Sequence, residues 1–164
     1  MQSRFRWPDR AVPDLPSVEL GSTAEGWRQV VVPGTVCAWL GPDDGSSVRA
    51  NITVTVQRRP SSETEWDADR AAVSTALRQI PGVSFLSVDE SEKDGRRRFL
   101  VRYAFGDDRL GDIRQVVLLS SLVSGDVSDL VQVTGTTAAN ADDLEAAFVL
   151  DAVSAARIEP RPLP

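Results

Sequence analysis

The sequence predicts an α+β fold, a largely antiparallel sheet of six to seven strands flanked by two main helices. Three observations predict it. Segment 49–57 alternates apolar with polar residues, and 96–105 sets Phe99, Val101, Tyr103 and Phe105 against Arg98, Leu100, Arg102 and Ala104, the period of a strand with one face against a core. Segments 65–79 and 141–158 instead space their apolar residues at helical intervals. The links between successive strands are hairpin-length, which makes neighbouring strands antiparallel.

Residues 1–20 carry Pro8, Pro13 and Pro16 among charged residues and read as an extended arm, because each proline fixes φ and removes an amide donor. Two short strands follow, over 29–32 and 35–40, each ended by a Pro/Gly pair. In the third, over 49–57, Ile52, Val54 and Val56 alternate with Asn51, Thr53 and Thr55. Hydroxyls and carboxylates at 61–67 then introduce a helix over 65–79, with Trp66, Val73, Ala76 or Leu77, and Ile80 on one stripe and Pro81-Gly82 as its stop.

Strand character resumes over 83–88, and the polar segment 89–95 reads as a hairpin loop. Phe99, Val101, Tyr103 and Phe105 alternate through 96–105, the clearest strand in the chain. Strands over 113–121 and 127–134 flank the turn Ser124-Gly125-Asp126. The last helix, 141–158, aligns Leu144, Phe148, Ala152 and Ala155. The expected order is β-β-β-α-β-β-β-β-α in a single domain, 21–158, with a tail over 159–164.

Composition excludes several functions. The 164 residues include no histidine and one cysteine. Ser-His-Asp and Cys-His catalysis are therefore absent, as is a closed zinc site of cysteine and histidine. No GxGxxG opens a helix and no GxxxxGK[ST] occurs, so no phosphate cradle and no cofactor site is expected. A net charge of −6 weakens attraction to phosphate backbones, which argues against nucleic acid as a partner. No segment approaches about 18 consecutive apolar residues, so no membrane span is expected.

The chain as written reads as cytoplasmic, with the cell envelope as the alternative if a leader has been removed. Among the 18 basic residues only Lys93 is lysine, a bias matching a GC-rich genome such as an actinobacterium's.

Carboxylates cluster at Asp43-Asp44, at Asp107, Asp108 and Asp112, and at Asp142, Asp143 and Glu145. A turn explains the first two groups and a helix first turn the third; the second lacks the ligand spacing of a calcium loop. The basic run Arg96, Arg97, Arg98, with Arg102 on the same strand and Arg58-Arg59 at the end of another, suits an acidic protein segment or an anionic headgroup, and a solvated strand end is its plainer explanation. Trp7 and Trp39 are candidate contact residues. Cys37, within an apolar strand, reads as a buried and inert thiol.

The strings Gly26-Trp27, Pro33-Gly34, Ala50-Asn51-Ile52-Thr53-Val54-Thr55-Val56, Gln115-Val116-Val117 and Val131-Gln132-Val133-Thr134-Gly135-Thr136 resemble those of the actinobacterial LpqN/LpqT-like family within the PsbP-like fold. The resemblance covers about residues 15–158. It implies an antiparallel sheet with flanking helices and a non-enzymatic accessory role toward protein or small apolar partners. Lipoprotein members carry an early acylated cysteine, and Cys37, deep in the domain, does not match it.

The leading expectation is a non-catalytic binding or accessory domain engaging a protein partner through Trp7, Trp39, Arg96, Arg97, Arg98 and Arg102. A second is a carrier of a lipid or other apolar ligand lined by Trp39, Phe99, Tyr103 and Phe148. A third is a carboxylate-based or calcium-dependent enzyme built on Asp107, Asp108 and Asp112.

Overall fold

The computed structural model describes residues 15–20, 25–141 and 143–160; the proposed contact residue Trp7, and Asp142, expected in a helix first turn, lie outside them. The described chain forms β1 (Ser17–Glu19), β2 (Arg28–Val30), β3 (Cys37–Leu40), β4 (Asn51–Pro60), α1 (Trp66–Arg78), β5 (Ser84–Lys93), β6 (Arg96–Asp107), β7 (Gly111–Ser124), β8 (Val127–Ala138), α2 (Asp143–Ser154) and β9 (Arg157–Glu159). Seven strands build one antiparallel sheet in the order β2-β3-β4-β8-β7-β6-β5. The α+β expectation holds.

The predicted loop at 89–95 is mostly strand. β5 runs on to Lys93, and the turn contracts to Asp94 and Gly95, whose φ angles of 54° and 71° are those of a two-residue hairpin turn. The polar run reads as a loop because β5 is an edge strand, where Asp89, Glu90 and Glu92 remain solvated while their backbone pairs with Leu100, Phe99 and Arg97.

Period-two alternation divides the sheet into two faces. On one, Ile52, Val54, Val116, Leu118, Val131 and Val133 pack against Val149, Ala152 and Val153 of α2. On the other, Phe99, Val101, Tyr103, Val117 and Leu119 receive Leu77, Trp66, Val73 and Ile80, so the stripe predicted for the first helix is the one buried.

The second helix departs from expectation. It ends at Ser154 rather than 158, and its buried residues are Val149, Ala152 and Val153, with Leu144 82% exposed. Because Ala146, Ala147, Phe148, Val149 and Leu150 are apolar all round, periodicity does not select a face. The sheet selects it at Gly135, where an added Cβ would lie 2.4 Å from Cγ1 of Val149 and 3.0 Å from both Val116 and Val153. Only a residue without a side chain permits that approach.

Residues 157–159, expected as helix and tail, form β9, which pairs antiparallel with β1 through Val18 and Ile158. Ile158 is buried in the α2-side core, and Val18 and Leu20 pack against that core.

Two ion pairs with buried carboxylates tie elements together. Arg58 on β4 holds buried Asp129 on β8 with two bonds of 2.7 Å, and Arg59 pairs with buried Asp69 in the first turn of α1. The second fastens the helix to the strand that precedes it.

Candidate functional site

β6 carries the residues Arg-Arg-Arg-Phe-Leu-Val-Arg-Tyr-Ala-Phe from position 96 onward. Alternation sends Arg97, Phe99, Val101 and Tyr103 to the α1 face and Arg96, Arg98, Leu100 and Arg102 to the α2 face. The register supports this division: Arg102 lies opposite Val116 and Leu100 opposite Leu118, and both β7 residues belong to the core beneath α2. Helix α2 lies over β8, β7 and β4, leaving this side of β6 as a half-buried row beside it.

The row spans about 20 Å at strand rise. At one end Arg96 donates to the carbonyl of Ile158 and Arg98 donates to that of Ser154 at 2.8 Å. Arg98 thereby satisfies a carbonyl at the last residue of α2, where a helix end favours a cation. Burial pushes the Arg98 guanidinium down from its ordinary value, with Asp94 opposing. Lys93, Arg96, Arg98 and Arg157 together line a small pocket of about 20 Å³ there, beside Asp94 and Ser120.

At the other end Arg102 and Arg114 line a cleft between α2 and the sheet. Its volume is about 270 Å³, and Leu86, Val116, Ala146, Ala147, Val149 and Leu150 form its apolar wall. A second lobe of about 420 Å³ shares Leu86, Arg102 and Arg114 and extends past Phe105 to Asp112.

The structure therefore brings Arg96, Arg98 and Arg102 together on one face. Arg97 lies on the opposite face, 3.9 Å from Asp67. Trp39 sits on β3 opposite Ile52 and packs into the core beneath α2, with β4, β8 and β7 between it and the row.

The four aromatic residues named for a carrier do not share a pocket. Trp39 and Phe148 belong to the α2-side core, whereas Phe99 and Tyr103 belong to the α1-side core. Tyr103 donates to Oε1 of Gln115, and burial raises its pKa to about 12. Cys37, expected to be buried, is half-buried, and that burial raises the pKa of its thiol.

Asp107 accepts bonds from the amides of Arg109 at 2.8 Å and Leu110 at 2.9 Å, and these bonds lower its pKa. It is thus a turn-forming carboxylate between β6 and β7. Among the described residues no group of three or more acidic or cysteine side chains is placed to hold a metal ion.

The sequence reading missed Arg114, Leu86 and the α2 residues of the cleft. Arg114 is isolated in sequence, and its position beside Arg102 depends on the β6–β7 register. Leu86 lies where that edge strand shifts register between Phe85 and Ser87, an irregularity without a sequence mark.

No family model matches the chain, and no curated protein matches it in sequence. Solved structures do. LpqN of Mycobacterium tuberculosis, involved in cell envelope biogenesis, superposes with a TM-score of 0.70 at 11% identity, covering 92% of this chain and 87% of LpqN. Cyanobacterial PsbP (CyanoP) of Synechocystis gives a TM-score of 0.55 at 13% identity, covering 96% of this chain and 98% of CyanoP. The chain has the PsbP-like fold.

In this PsbP-like chain α2 covers only part of its sheet face, and the remainder carries the arginine row and the cleft. Among the described residues no helix is long and apolar enough to cross a membrane.

Proposed function

We propose that the protein is a non-catalytic accessory domain that binds an acidic stretch of a protein partner along Arg96, Arg98 and Arg102. The row carries this reading: period-two placement lines up cations beside α2 in a chain whose net charge is −6. A local positive strip on an acidic molecule steers and orients an acidic segment while repelling acidic chains elsewhere. LpqN's part in cell envelope biogenesis makes an envelope assembly the first place to look for the partner. Asp107, the best carboxylate candidate, is engaged by turn amides, which favours binding over carboxylate catalysis.

The test is titration of a glutamate-rich peptide into the intact chain. Arg102→Glu is expected to weaken binding about tenfold, or about 1.4 kcal/mol, and rising salt is expected to weaken the wild-type complex. Equal affinity of the wild-type and variant chains would remove the reading.

A second reading, a carrier of an apolar ligand, is favoured by the apolar wall of the cleft, Leu86, Val116, Val149 and Leu150. Native mass spectrometry checks it. A chain that neither retains nor takes up an apolar molecule would not be a carrier.

A further inference from the structure

Arg96 and Arg98 are engaged by backbone carbonyls, but the side chains of Arg102 and Arg114 make no hydrogen bond or ion pair among the described residues. The register places them together. Arg102 lies opposite Val116 and Ala104 opposite Arg114, so the two arginines are diagonal neighbours on one face, with backbones about 7–8 Å apart. That separation lets both side chains converge on one small anion. Asp112 lines one lobe of the cleft and Asp143 the other, and neither pairs with the arginines.

The surroundings specify the anion further. Leu86, Val116, Ala146 and Leu150 provide an apolar wall beside the guanidiniums, so the cleft suits a carboxylate carried on an apolar group. It also opens onto the row that leads past Leu100 to Arg98 and Arg96. Asp89, opposite Leu100 on β5, interrupts that row with a negative charge. A chain lying along it is therefore favoured when it is acidic at its upstream end and neutral in the middle.

Resting on the reading proposed above, we infer that the cleft holds the C-terminal carboxylate of the partner chain, with an apolar last residue. The carboxylate, ionised at neutral pH, accepts forked bonds from Arg102 and Arg114. The terminal side chain lies against Leu86, Val116 and Leu150. The preceding residues run beside α2, and their upstream acidic groups meet Arg98 and Arg96. A chain of about six residues covers the distance.

The experiment is calorimetric titration of the intact chain with a peptide of about six residues, glutamates upstream and leucine last, as the free acid and as the C-terminal amide. The free acid is expected to bind about tenfold more tightly. Arg114→Gln should shrink that ratio, because Arg102 alone then meets the charged carboxylate, whereas the amide, held mainly by the row, loses much less affinity. An unchanged melting temperature would show that this exposed substitution leaves the fold intact, and Arg114→Lys, which keeps the charge but loses the fork, should retain only part of the ratio.

Equal binding of acid and amide would overturn the terminal-carboxylate assignment while the arginine row stands. Failure of both peptides to bind would overturn the row and the assignment together. Dodecanoate binding where neither peptide binds would give the cleft to a free amphiphile and overturn the inference.

Discussion

At the scale of single residues, three side-chain environments have measurable consequences. Gly135→Ala forces a methyl group into Val149, Val116 and Val153; urea denaturation should show a loss of about 1–3 kcal/mol. Tyr103 is the only tyrosine, so tyrosinate absorbance reports it cleanly, and the native midpoint should lie near pH 12. Since the folded value exceeds the unfolded value of about 10, its contribution to stability is complete below pH 10. It is lost as pH rises toward 12. Cys37, with its pKa raised by burial, should react with a thiol reagent more slowly in the native chain than in the unfolded one. Equal rates would show that the thiol is not shielded.

At the scale of elements, the ion pair joining β4 to β8 is the contact most exposed to mutation. Asp129 is 2% exposed, and Asp129→Ala leaves the Arg58 guanidinium without its bidentate partner. Removing one member of such a buried pair costs about 3 kcal/mol, readable as a lower urea midpoint.

The elements also differ in how far their sequences specify them. β6 is legible because Phe99, Val101 and Tyr103 alternate without interruption, and α1 is legible because Trp66, Val73, Leu77 and Ile80 are its large apolar residues among alanines and polar ones. α2 is apolar on several sides, so its buried face is set by the contact at Gly135. β5 is concealed by its charges, since an edge strand buries too little for its sequence to resemble a core strand.

For the whole molecule, β1 and β9 bring the two ends of the described chain together, and Ile158 closes the α2-side core between them. Ile158→Ala should lower stability by about 2–4 kcal/mol in urea denaturation. A loss much below that would mean the end pairing is peripheral to the core.

The sequence by itself determined the α+β class and the antiparallel pairing of successive strands. Those properties follow from period, turn chemistry and link length, all local along the chain. Only the tertiary structure decided how Arg96, Arg98 and Arg102 join Arg114 beside an open cleft while Trp39 is packed elsewhere. That arrangement depends on strand register and on where α2 settles, and both arise from contacts between residues distant in sequence.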